Sequence, residues 1–149
     1  MTGGSDGESG EVNGSEQAAD LSFPAQARYL SEVRRTVERL ARHVRLSQFE
    51  LNDLLTAVDE AVANAIRYGS PLGAKNTVWV TCRVEANTLV VSVRDEGSGF
   101  HVPSNPEMPG PEAVGGRGLP LMCALSDTVE IARQNGGTRV TLQKRARTA

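Results

Sequence analysis

Asp59-Glu60-Ala61-Val62-Ala63-Asn64-Ala65 sets a carboxylate, Glu60, and an amide, Asn64, four residues apart, which on a helix is one turn and one face. Asp95-Glu96-Gly97-Ser98-Gly99-Phe100 places an acid and two glycines directly after an alternating apolar run. There Asp95 can accept a hydrogen bond from an exocyclic amine, the group that separates adenine from guanine, and Gly97 and Gly99 leave room for base and ribose against the backbone. Gly115-Gly116-Arg117-Gly118-Leu119 opens a third segment with glycines, and a helix N-terminus binds phosphate through its N–H groups and dipole. Together the three have the parts of a nucleotide pocket. Each also has a plainer reading: the polar side of an amphipathic helix, a strand-ending turn, and, for Arg117, an exposed loop charge.

A nucleoside triphosphate normally arrives with Mg²⁺, which keeps several waters while bridging phosphates, so one protein amide such as Asn64 can suffice as its ligand. Glu60, one turn earlier, can accept the proton of an attacking hydroxyl. No G-x-G-x-x-G follows a first strand and no G-x-x-x-x-G-K-[ST] is present, which disfavours a Rossmann domain and a P-loop NTPase.

The order and spacing of the three segments resemble the N, G1 and G2 boxes of the histidine-kinase-like (Bergerat) ATPases. With Glu60-Ala61-Val62-Ala63-Asn64-Ala65 inside a short chain, the sequence is most similar to the bacterial anti-sigma factor serine kinases. The resemblance runs from about Leu21 to Lys144. It implies that Glu60 is the catalytic base and Asn64 the Mg²⁺ ligand, and that backbone N–H groups of Gly116, Arg117 and Gly118 meet the phosphates. It also implies that Thr138 helps Asp95, Gly97 and Gly99 hold the adenine. The implied activity uses ATP and Mg²⁺. Such a protein holds a sigma factor inactive and phosphorylates a Ser/Thr of a STAS-type anti-sigma factor antagonist, and a homodimer is compatible with it.

Two departures bear on activity. The stretch from His101 to Val114, where the family has its ATP lid, contains no Lys, Arg or Thr, and Tyr68 stands where histidine often precedes glycine. They leave open a nucleotide-binding partner-switch module with little or no kinase activity. A detached sensor histidine-kinase domain fits less well, because His43 ends its helix pattern without an acidic neighbour after it.

The supporting elements are those of a single domain of 149 residues. Residues 1–20 are Gly/Ser-rich and acidic, without Lys or Arg, and are expected to form a disordered tail. Leu21-Ser22-Phe23 before Pro24 reads as an edge strand. Leu30, Val33, Val37, Leu40, Ala41 and Val44 predict an amphipathic helix over Ala25 to Val44, whose exterior carries Arg28, Arg34, Arg35, Arg39 and Arg42. Ser47 and Glu50 form a capping box for a second helix that runs to about Tyr68 and stops at Gly69-Ser70-Pro71. On its helical wheel Glu60 and Asn64 lie opposite the apolar stripe and are expected to face water or a ligand. Asn76 to Ala86 and Thr88 to Arg94 predict a hairpin, Gly118 to Leu125 a short helix, and Thr128 to Arg133 with Thr138 to Gln143 a second hairpin across Asn135-Gly136-Gly137. Residues 145–149 are expected to fray. The resulting fold class is an α/β (α+β) sandwich: a mixed, largely antiparallel sheet with helices on one face, the histidine-kinase-like ATPase fold.

A net charge of −2 with 23% charged and 4% aromatic residues makes no case for direct nucleic-acid or membrane binding. No apolar run approaches the roughly 20 residues of a membrane span, and Met1 opens no signal-peptide pattern, so a cytoplasmic protein is expected. Cys82 and Cys123 read as reduced core thiols.

Overall fold

Strict alternation puts Val78, Val80 and Cys82 of one segment and Leu89, Val91 and Val93 of the next on the same face of a sheet, and all six are buried. The computed structural model describes residues 17–97, 118–134 and 136–147. Its strands are β1 (Ala18–Pro24), β2 (Thr77–Glu85), β3 (Thr88–Arg94), β4 (Thr128–Gln134) and β5 (Gly137–Arg145), in the order β1-β2-β3-β5-β4. Each of the four pairings is antiparallel. The sheet expected to be mixed and largely antiparallel is therefore antiparallel throughout the described residues.

Helices α1 (Leu30–Ala41), α2 (Gln48–Arg67) and α3 (Gly118–Leu125) complete the α+β layers. Val33, Val37 and Leu40 of α1, Leu54, Val58 and Val62 of α2, and Leu119 and Met122 of α3 share one core with the inward strand residues. Burying each such side chain contributes about 1.5–3 kcal/mol. The capping box is formed as expected: Glu50 N–H donates to Ser47 Oγ at 3.0 Å, and Ser47 N–H donates to Glu50 Oε1 at 2.7 Å. Both hairpins close with two-residue loops, since Glu85 faces Thr88 and Gln134 faces Gly137. Gly136 takes the left-handed conformation that the second loop demands, with φ +68°.

Three boundaries differ from expectation. The edge strand begins at Ala18, not Leu21, because β2 is long enough to pair with it as far as Arg83. The first helix is shorter at both ends: a 3-10 turn at Ala27–Tyr29 precedes it, and three-residue hydrogen bonds from Arg42, His43 and Val44 tighten the chain after Ala41. Residues 145–147, the described part of the end expected to fray, are tied down. Arg145 lies in β5, Ala146 is buried with its N–H donated to Asn87 O at 3.0 Å, and Arg147 pairs with Asp127 and Glu50. Lys144 is itself buried, donating from Nζ to Leu125 O at 2.9 Å with Asp53 Oδ2 at 3.7 Å. Carboxylates distant in sequence complement these basic residues, and composition alone does not locate them. Among the described residues no helix is long and apolar enough to cross a membrane.

Candidate functional site

The segment Asp59 to Ala65 lies in the C-terminal half of α2, which the helix–sheet core fixes through Val58, Ala61, Val62 and Ala65. Asn64, expected on the open side of the helix, is buried, as is Ala57. The reason is α3, which lies across this side of α2. A β-carbon at Gly118, the first residue of α3, would stand 3.0 Å from Asn64 Nδ2 and 3.1 Å from Glu60 Oε1. The glycine lets the helix start sit directly on the carboxylate–amide pair. Thus the first and third segments of the sequence motif meet, through Glu60, Asn64 and Gly118.

The second segment joins from the other side. Asp95 directly follows β3 and is buried; its Oδ1 accepts the N–H of Gly97 at 3.0 Å and of Thr138 at 3.2 Å, while its own N–H donates to Thr138 O at 2.9 Å. Burial pushes the Asp95 carboxyl above its ordinary pKa, against the opposing pull of these N–H groups and the Arg94 charge. Thr138 on β5 is buried beside it.

Gly69 connects the two halves. Its N–H donates to Asn64 O and Ala65 O at 3.2 and 3.1 Å, completing the turn after α2, and its α-carbon lies against the Asp95 carboxylate. A side chain at 69 would overlap that carboxylate, and one at Gly97 would stand 2.7 Å from the Gly69 backbone. The sequence marks Gly69 as a helix stop; the close approach that demands glycine becomes visible only when β3 is placed beside it. Gly137 is a further such position, since a β-carbon there would overlap the Asp95 carbonyl oxygen.

Four buried polar side-chain atoms among the described residues have no hydrogen-bond partner: Asp59 Oδ1, Asn64 Nδ2, Ser126 Oγ and Thr138 Oγ1. Two of them, Asn64 and Thr138, belong to the expected site. Leaving such an atom unpaired costs about 1–3 kcal/mol, which a ligand that pairs with it recovers. The unpaired Asn64 N–H fits an acceptor such as a phosphate oxygen, which leaves Oδ1 as the atom of this amide that can ligate a divalent ion, and a hydroxyl beside Asp95 fits a base. Gly99, Gly116 and Arg117, and the stretch 101–114, lie outside the described residues.

A helix carrying an acid and an amide, a buried strand-end aspartate with a threonine beside it, and a glycine-headed helix over the first pair form a single constellation. Residues 23–144 match the family model described as the histidine kinase-like ATPase domain. The chain belongs to that family. It is similar to the serine-protein kinase RsbW of Bacillus pumilus, at 32% identity over 136 residues covering 84% of this chain and 83% of the relative. It is similar also to the anti-sigma F factor of Anoxybacillus flavithermus, at 31% identity over 130 residues covering 83% of this chain and 89% of the relative. Among solved structures, the RsbU and RsbW domains of Rv1364c from Mycobacterium tuberculosis superpose with a TM-score of 0.64 at 20% identity, covering 90% of this chain and 35% of that one. A histidine kinase domain from Erythrobacter litoralis EL346 gives 0.52 at 19% identity, covering 82% of this chain and 61% of that one. These superpositions show the histidine-kinase-like fold, as read from the three boxes.

Proposed function

We propose that the chain is a cytoplasmic, ATP-dependent protein serine/threonine kinase that acts as an anti-sigma factor, holding a sigma factor and phosphorylating a STAS-type antagonist of that inhibition. The observation that carries this reading is the buried Asn64 amide set beside Glu60 beneath the first residue of α3. The names of the relatives, serine-protein kinase and anti-sigma F factor, support it.

In this reading Asp95 accepts the exocyclic amine of adenine, Thr138 adds a hydrogen bond at the same edge, and Gly97 and Gly99 admit the base. Gly118, at the start of α3, and the preceding Gly116 and Arg117 of the sequence are the residues we assign to offer backbone N–H groups to the phosphates. Asn64 would hold Mg²⁺ through its amide oxygen, and the ion would supply charge neutralisation at the phosphates. Glu60 accepts the proton from the substrate hydroxyl as its oxygen bonds to the γ-phosphorus and the bond to the β-phosphate oxygen breaks, leaving ADP. The exposed side of α1 supplies a partner face: Arg34 is spent on Asp59 at 2.6 Å, whereas Arg35 and Arg42 are exposed and suited to partner carboxylates.

Incubation with labelled ATP, Mg²⁺ and candidate antagonist proteins tests the proposal directly. Label transferred to a Ser or Thr of one antagonist, together with capture of a sigma factor, is the expected result. ATP binding without transfer to any antagonist would instead leave a nucleotide-binding partner switch.

A further inference from the structure

Asn76 lies outside the three sequence boxes, and Glu96, inside the second, has no assigned role there, yet the two are bonded to each other and to the backbone around the site. Asn76 is buried, and all four of its hydrogen-bonding groups are engaged. Its Oδ1 accepts Leu72 N–H at 2.7 Å and its Nδ2 donates to Glu96 Oε1 at 2.8 Å, while its backbone N–H donates to Gly73 O at 2.9 Å and its carbonyl accepts Ala25 N–H at 3.0 Å. Glu96 Oε1 also accepts the N–H of Thr77 at 2.9 Å. The Asn76 and Thr77 hydrogen bonds hold the Glu96 carboxyl below the usual range.

These bonds join the loop between α2 and β2 to the turn that follows Asp95. One end of that loop is Gly69, which packs on both the Asp95 carboxylate and the Gly97 backbone. We propose that Asn76 and Glu96 are positioning residues that clamp this loop onto the Asp95 turn and so set the depth and selectivity of the base pocket. The inference rests on Asp95 being the adenine acceptor. Neither residue need touch the nucleotide: they act through Gly69 and Gly97. Without the clamp, the loop is free to move away from Gly97, and the carboxylate loses the wall that fixes its direction.

The chemistry of the clamp permits a discriminating test. Both donors meet the same Glu96 oxygen, so Glu96→Gln, which keeps a carbonyl oxygen there, should preserve the clamp, whereas Glu96→Ala removes it. ATP and GTP affinities of the full chain are measured by calorimetry with Mg²⁺ present. Glu96→Ala and Asn76→Ala are expected to weaken ATP by about three- to tenfold, the range of a lost hydrogen bond, and to narrow the preference for ATP over GTP. Glu96→Gln should behave as wild type, and the double alanine variant should lose less than the sum of the two single losses, because the Asn76–Glu96 bond is common to both. Unchanged ATP affinity in Glu96→Ala, equal weakening of ATP and GTP, or failure of Glu96→Gln to rescue would each overturn the clamp while leaving the adenine site intact. A wild-type chain that binds ATP and GTP alike would overturn the adenine reading, and the clamp with it.

Discussion

The α-carbon of Gly69 rests against the carboxylate of Asp95, joining the turn after α2 to the end of β3 with no space for even a methyl group between them. Because Asp95 is buried and held by the N–H groups of Gly97 and Thr138, it cannot swing aside cheaply. Gly69→Ala should therefore cost about 1–3 kcal/mol of stability, the usual range for overpacking, and weaken ATP binding as well. A urea midpoint for the variant equal to that of wild type would show that the turn relaxes freely.

Asp95 itself should separate stability from binding. Its folded-state pKa is raised, chiefly by burial, so between the ordinary and raised values the folded chain keeps a proton that the unfolded chain has released. Stability from this group thus falls as pH rises through that window, and the full penalty persists at neutral pH. Asp95→Asn keeps an oxygen for both N–H donors and removes the buried charge, so its thermal midpoint at pH 7 should equal or exceed that of wild type. ATP affinity should nonetheless drop by about 1.5–3 kcal/mol, the value of a charge-assisted hydrogen bond. In wild type, affinity should also decline as pH is lowered through the raised pKa, and the variant should flatten that dependence. Calorimetry across pH reads both effects.

How much of this site could be read in the sequence depended on whether a residue's partner lay within the same segment. Glu60 with Asn64, Asp95 with Gly97, and the Ser47–Glu50 cap are local patterns, and each is found where helical or strand geometry puts it. The burial of Asn64 was not legible, because α3, which covers it, comes far later in the sequence, and a helical wheel sees only its own helix. Gly69 and Asn76 read as a stop and a turn residue for the same reason: their partners, Asp95 and Glu96, come from β3 and the turn after it. The basic C-terminus reads as loose for want of Asp53, Asp127 and Glu50, all brought in by other elements.

Lys144 carries a prediction of its own. Its Nζ satisfies the carbonyl of Leu125, the last residue of α3, so this link pins the far end of the helix whose first residue covers Glu60 and Asn64. Lys144→Met retains most of the apolar stem but leaves that carbonyl without its donor. Unfolding by urea should show a loss of about 1–3 kcal/mol. A variant as stable as wild type would mean that the carbonyl finds water instead.

Charge reversal at Arg35 and Arg42 addresses the partner face. Both are exposed on or just beyond α1, away from Gly69 and Asp95, so Arg35→Glu with Arg42→Glu should reduce capture of the sigma factor or antagonist at least tenfold while ATP affinity stays unchanged. Arg34→Ala serves as the contrast: it breaks the pair with Asp59 and should act on the α1–α2 contact instead. Undiminished capture by the double reversal would exclude this side of α1 from the interface.

Glu60 and Asn64 should fail in different ways, although they lie one turn apart beneath the same glycine. Asn64→Ala removes a buried donor that has no partner among the described residues, so the folded chain should be as stable as wild type or more so. The same change deletes the proposed metal ligand, so Mg²⁺-dependent nucleotide affinity and phosphoryl transfer should fall together. Glu60→Ala removes only the proposed proton acceptor; nucleotide should still bind, and the rate of transfer should fall by about 10²–10⁴-fold. Three measurements on each variant separate the roles: thermal midpoint, ATP affinity with and without Mg²⁺, and single-turnover transfer to the antagonist. Wild-type transfer by Glu60→Ala would remove this carboxylate from the chemistry. Loss of ATP affinity in Asn64→Ala that is the same with and without Mg²⁺ would assign the amide to the nucleotide rather than to the metal.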